Sequence, residues 1–188
     1  MKTVAIEKRN TIHPYKFNLW VAIGSMIMMF AGLTSAYFVK RNQANWEDYQ
    51  LPFDFIYSTI AIVLSSVSMI LAKRAFKERL MSKYRKLILV TLVLGIVFVI
   101  FQVLGFVNMW NMGLTHNSTV SVSFLYVIVG FHAVHVLGGI VALIIISLQA
   151  FSSKIKKYNS ISVELVGIYW HFVDLLWIYL LVFLFMIK

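Results

Sequence analysis

Five long apolar runs separated by short polar stretches account for most of the chain, at residues 19–39, 55–72, 87–106, 123–148 and 165–187. Each is long enough, at about 1.5 Å per helical residue, to cross about 30 Å of hydrocarbon. Such runs are too long for the buried helices of a small water-soluble fold. The pattern predicts an all-α integral membrane bundle of five transmembrane helices, preceded by a tail over residues 1–18. The fourth run is the longest, so its helix is expected to tilt or to protrude. The connection at residues 107–121 is uncharged and carries Trp110 and His116, which suits a segment lying along the membrane interface.

Inside lipid, helices associate through close approach of small residues rather than through a hydrophobic drive. The second run offers a seam of Ser58, Ala61, Ser65, Ser68 and Ala72, spaced alternately three and four apart and therefore on one helical face. The third offers Gly95, Phe98, Gln102 and Gly105, and the first a looser series of Ala22, Ser25, Met29, Gly32 and Ala36. All three are expected to face neighbouring helices.

Composition agrees with the pattern. Of 188 residues, 61% are hydrophobic and 13% charged, about half the charged share of a soluble domain. The net charge of +10 raises nucleic-acid binding, but the bases sit in clusters between apolar runs rather than along one face. That arrangement excludes nucleic acid as the expected partner and points to membrane flanks. There are no cysteines, hence no disulfides or thiolate metal sites.

Orientation follows from where the bases fall. Lys2, Lys8, Arg9 and Lys16 precede the first run. Lys73, Arg74, Lys77, Arg79, Lys83, Arg85 and Lys86 separate the second from the third, and Lys154, Lys156 and Lys157 the fourth from the fifth. These fourteen lie on one side, against only Lys40, Arg41 and Lys188 on the other. The positive-inside rule places the amino terminus in the cytoplasm and the carboxyl terminus outside. Arg41, Lys73 and Arg74 flank the membrane and are expected to meet lipid phosphate.

Ionisable groups within the runs are few and therefore informative. His132 and His135 lie three apart on the fourth helix, as do His171 and Asp174 on the fifth. His135 and Asp174 both fall within roughly 5 Å of the midplane, counting about 1.5 Å per residue. Three readings stand: a metal or haem site from His132, His135 and His171, a proton relay, or a hydrogen-bonded knot between the last two helices. No second carboxylate or thiolate supports a metal, and the expectation is a structural pairing of His135 with Asp174.

Two stretches are more than generic. Gly130-Phe131-His132-Ala133-Val134-His135-Val136-Leu137-Gly138-Gly139 and Tyr169-Trp170-His171-Phe172-Val173-Asp174-Leu175-Leu176-Trp177 closely resemble subunit III of haem-copper terminal oxidases. Trp20, Gly24-Ser25 and Phe30 on the first helix, and Pro52, Ser58-Thr59 and Ser65-Ser66 on the second, fit the same family. The resemblance runs from Leu19 onward in order, and to the short bacterial form with five helices instead of seven. One departure is Met26, where many members carry an acid. Trp170, Trp177, Gly138 and Gly139 are motif positions whose expected role is packing.

The resemblance implies a subunit without a catalytic centre or cofactor of its own, in a bacterial inner membrane. Haem and copper would belong to companion subunits I and II. Subunit III would pack beside subunit I, bind phospholipid and sustain proton uptake while the complex reduces oxygen to water. Cytochrome c or quinol would donate electrons to the complex elsewhere. A relative serving a nitric oxide reductase complex would share the motifs.

Overall fold

A computed structural model describes residues 14–41, 52–114, 119–151 and 160–187. All regular structure among them is helical: α1 (Pro14–Arg41), α2 (Asp54–Lys77), α3 (Met81–Asn111), α4 (Val120–Phe151) and α5 (Ser160–Ile187). All five are long and apolar enough to span a membrane, and each predicted run lies wholly within its helix.

The helices outrun the apolar stretches at three places. α1 begins at Pro14, inside the segment assigned to the tail, and proline suits a first turn because its missing N–H would have no helical partner there. The basic stretch 73–86 forms two helix ends joined through residues 78–80. The expected interfacial segment 107–121 is helical up to Asn111 and again from Val120, so Trp110 sits on α3; His116 lies outside the described residues. α3, with 31 residues, is about 46 Å long and must project beyond a core of about 30 Å.

Both ends of this α3 hairpin use the same cap. Leu80 N–H bonds Ala75 O and Arg79 N–H bonds Phe76 O at the end of α2, while Leu114 N–H bonds Met109 O and Gly113 N–H bonds Trp110 O at the end of α3. This paired closure demands a left-handed residue between helix and exit. Gly113 adopts it at φ 82°, and Arg79 adopts it at φ 59°, where a Cβ costs about 1 kcal/mol or more. Arg79→Gly is therefore expected to stabilise the chain by about 1 kcal/mol, read as a higher denaturant midpoint in detergent micelles.

Successive helices are antiparallel. α2, α3, α4 and α5 form a closed ring in which each touches its sequence neighbours and α5 returns to α2. α1 stands outside this ring against α4 and α5, with no contact to α2 or α3 among the described residues. It runs parallel to α5. The core fills the ring, led by Trp170, Trp177, Phe55, Phe98 and Tyr84, while Phe30 and Tyr37 bring α1 onto it. Aliphatic side chains such as Val134, Leu148, Leu175 and Met186 cover the outside.

The seams on α2 and α3 are buried in full, residue for residue. The seam on α1 is corrected. Ala22, Ser25, Gly32 and Ala36 face outward, and α1 instead buries Ile23, Met26, Phe30, Thr34 and Tyr37.

Candidate functional site

The residues of the two motifs meet in the middle of the ring, and Trp170 is their hub. It is fully buried because two glycines make room for it. A Cβ on Gly95 of α3 would lie 2.9 Å from its Cη2, and one on Gly139 of α4 would lie 3.0 Å from its Cε3 and Cζ3. The indole is thus clamped between helices that a larger residue would hold apart. Its Nε1–H donates to Ser65 Oγ on α2 at 3.1 Å, and the Ser65 hydroxyl passes on to Thr91 O of α3 at 3.0 Å. One side chain of α5 therefore engages all three other members of the ring.

Further polar contacts follow the serine seam. Ser68 donates to Leu87 O at 3.0 Å, Gln102 Nε2 donates to Ser58 Oγ at 2.9 Å, and Asn108 Nδ2 donates to Asp54 Oδ2 at 2.7 Å. In a bilayer such bonds contribute on average about 0.6 kcal/mol each, so the series fixes register more than it supplies stability. α1 is joined by the paired hydroxyls of Thr34 and Tyr179 at 3.0 Å and, at its start, by Lys16 Nζ and Glu164 Oε1 at 2.8 Å.

Trp177 is the second hub. Its indole stacks on His132 at 5.3 Å between centroids, meets Phe98 edge-on at 5.5 Å, and donates Nε1–H to Thr59 Oγ1 at 2.9 Å. His132 is sealed among these rings and Phe30, 6.4 Å away. Both of its ring nitrogens are buried without a hydrogen-bond partner.

The expected pairing of His135 with Asp174 does not form. His135 is only half-buried, leans on Phe30 at 5.9 Å and donates Nδ1–H to Phe131 O of its own helix at 2.7 Å. Asp174 is buried, and neither carboxyl oxygen has a hydrogen-bond partner; its polar neighbour is the Ser66 hydroxyl of α2. Residues three apart on a helix differ by about 60° in direction. That turn carries His132 inward and His135 towards α1, and it separates His171 from Asp174 in the same way. The knot that does form joins α2 to α5: Ser66 Oγ and His171 Nδ1 share a hydrogen bond of 2.7 Å. α4 and α5 are joined instead by Tyr169 OH, which donates to His135 O at 3.0 Å.

His132 is enclosed by aromatic rings, while His135 and His171 each use Nδ1 in a hydrogen bond. No group of three His, Cys, Asp or Glu side chains among the described residues converges on a point. Of the motif glycines, Gly139 is buried against Trp170, whereas Gly138 faces outward with Tyr169 OH 3.7 Å from its Cβ position. The basic candidates separate: Lys73 and Arg74 lie near the end of α2, and Arg41 closes α1 at the opposite end of the bundle.

Comparison with known proteins bears on the whole chain. Residues 9–188 match the family model described as Cytochrome c oxidase subunit III. The chain is 29% identical over 176 residues to cytochrome c oxidase subunit 3 of Corynebacterium diphtheriae, covering 89% of this chain and 85% of the relative. It is 30% identical over 173 residues to a probable cytochrome c oxidase subunit 3 of Mycobacterium tuberculosis, with the same coverage of 89% and 85%. It is also 28% identical over 181 residues to a probable quinol oxidase subunit 3 of Staphylococcus aureus, covering 92% of this chain and 88% of the relative.

Proposed function

Because the chain belongs to the cytochrome c oxidase subunit III family, we propose that it acts as the non-catalytic third subunit of a respiratory oxidase, packed beside subunit I. In this role it holds lipid against the complex and sustains proton uptake while companion subunits I and II, which carry haem and copper, reduce oxygen to water. The observation that carries the reading is the use the fold makes of the family motifs. Trp170, Trp177 and Gly139 build an interhelix core, and the histidines beside them are committed to packing and register. Such a core suits a rigid membrane partner better than a redox centre. The cytoplasmic placement of the amino terminus, in a bacterial inner membrane, is supported by the bases gathered at one end of the bundle, among them Lys16, Lys73, Lys77, Lys83 and Lys86.

Cytochrome c is the favoured electron donor of the complex. A quinol donor is the second reading, favoured by the similarity to the staphylococcal relative. Gentle purification through a tag on this chain tests both. Recovery of a haem-containing subunit with oxygen-reducing activity is the expected result, and the donor that sustains turnover names the branch. A tagged chain recovered without any haem subunit, or with nitric oxide reductase activity in its place, overturns the oxidase reading.

A further inference from the structure

Asp174 is buried near the middle of α5, and neither of its carboxyl oxygens has a hydrogen-bond partner among the described residues. Its polar neighbour, the Ser66 hydroxyl of α2, also shares a hydrogen bond of 2.7 Å with His171 Nδ1. We propose that Asp174, Ser66 and His171 form a proton-transfer chain, with Asp174 as a buried site that takes up and releases one proton. The inference rests on the placement of α2 and α5 across a membrane and is the same for either electron donor.

Three observations carry the chain. First, Ser66 has one proton to give and two neighbours that can take it. When Ser66 donates to His171 Nδ1, a bare carboxylate at Asp174 would lie enclosed without a donor, which is costly inside a membrane bundle. Asp174 is then satisfied by carrying its own proton and donating it to Ser66 Oγ. In the converse arrangement His171 Nδ1–H donates to Ser66, and the Ser66 hydroxyl donates to the Asp174 carboxylate. The two arrangements differ by a shift of two protons. The Asp174 O–H bond breaks as one forms on Ser66, and the original Ser66 O–H bond breaks as an N–H forms on Nδ1. Asp174 ends as a carboxylate, His171 as an imidazolium and Ser66 as it began. Second, the chain has an entrance. His171 is half-buried, and Lys73, the charged group that bears on it, lies flat on Gly167, with Nζ 3.2 Å from the Cβ position there. Residue 167 is one turn, about 6 Å, from His171. Lys73 also lines a crevice of about 280 Å³ at the basic end of the bundle, with Lys77, Ser160 and Glu164. Water in that crevice stands within a turn of the imidazole, and the imidazolium releases its proton to it through Nε2–H. Third, Ser66 differs from the other serines of α2. Ser65 and Ser68 donate to Thr91 O and Leu87 O, and Ser58 accepts from Gln102, groups that do not titrate. Those bonds hold register, whereas Ser66 stands between two side chains that exchange protons.

The test is infrared spectroscopy of the complex purified through this chain and placed in phosphatidylcholine nanodiscs. At neutral pH the parent should show a carboxylic acid C=O band that Asp174→Asn removes. In heavy water that band shifts as the proton exchanges. Ser66→Ala and His171→Asn should each slow the exchange about tenfold, the rate equivalent of one lost hydrogen bond. Ser66→Thr keeps a hydroxyl and should preserve the rate. His171→Asn is the decisive variant, because its side-chain oxygen can still accept from Ser66 near the place of Nδ1 while carrying no proton. A purely structural bond would leave its exchange rate at the parent value. A carboxylic acid band untouched by Asp174→Asn overturns the proton site. Unchanged exchange in His171→Asn overturns the chain, and so does equal slowing in Ser66→Thr and Ser66→Ala. The haem subunit in the same preparation reports separately on the oxidase reading.

Discussion

Replacing Gly139 with valine should unseat Trp170 and destabilise the folded chain by about 3 kcal/mol, the upper end of the usual cost of overpacking. The added Cβ would stand 3.0 Å from two ring carbons of Trp170 and 3.3 Å from Tyr169 Cε1, and valine adds two methyl groups beyond it. The indole has nowhere to move. Gly95 bounds it on the far side with a Cβ position 2.9 Å from Cη2, and the Nε1–H bond to Ser65 fixes its plane. Retreat would break the Trp170–Ser65–Thr91 chain and part α5 from α2 and α3 together. The neighbouring Gly138 supplies the contrast. It faces outward with only the Tyr169 hydroxyl in reach, 3.7 Å away, so Gly138→Val should change stability by no more than about 0.5 kcal/mol. Denaturant titration of both variants in micelles checks the pair, and equal effects would refute the clamp.

That difference between adjacent glycines marks a limit of sequence reading here. The number of helices was legible because an unbroken apolar run has few alternatives in a membrane protein. The faces of α2 and α3 were legible because serine, alanine and glycine at alternating spacings of three and four have one economical use in lipid, which is close contact. α1 misled by the same logic. Its small residues point outward, and it docks through Phe30, Thr34 and Tyr37, large side chains that look no different from lipid-facing ones. Helix ends escaped because polar residues past the hydrocarbon remain helical, as at Lys73 to Lys77 and again from Met81.

The buried histidine was legible in kind but not in identity. His132 and His135 lie three apart on α4, and depth alone favoured His135. Depth gives no azimuth. The ring that fills the space beside Trp177 is His132, and Asp174 lies across from Ser66 rather than from His135. Trp170 and Trp177 could be singled out from the motif, yet the sequence alone did not say that their N–H groups reach serine and threonine on α2, a helix about a hundred residues earlier.

Trp177→Ala is expected to be the most damaging single substitution, costing about 3–5 kcal/mol as for other buried aromatic truncations. The side chain is fully buried and contributes the face on which His132 stacks, the wall against which Phe98 stands, and the donor to Thr59. Lipid cannot refill the space, because all these contacts lie inside the ring, so the dispersion contacts are lost outright. The companion substitution separates packing from polarity. His132 has two buried ring nitrogens without partners, and an unsatisfied buried polar group costs about 1–3 kcal/mol. His132→Leu removes that cost while keeping apolar contact with Trp177, Phe30 and Phe98, and should leave stability within about 1 kcal/mol of the parent. If thermal unfolding of the purified complex showed His132→Leu to be as harmful as Trp177→Ala, the imidazole nitrogens would have to hold a proton or a water that packing does not require. A harmless His132→Leu beside a crippling Trp177→Ala would place the worth of this motif in the shape of its rings, with the histidine serving as an aromatic spacer.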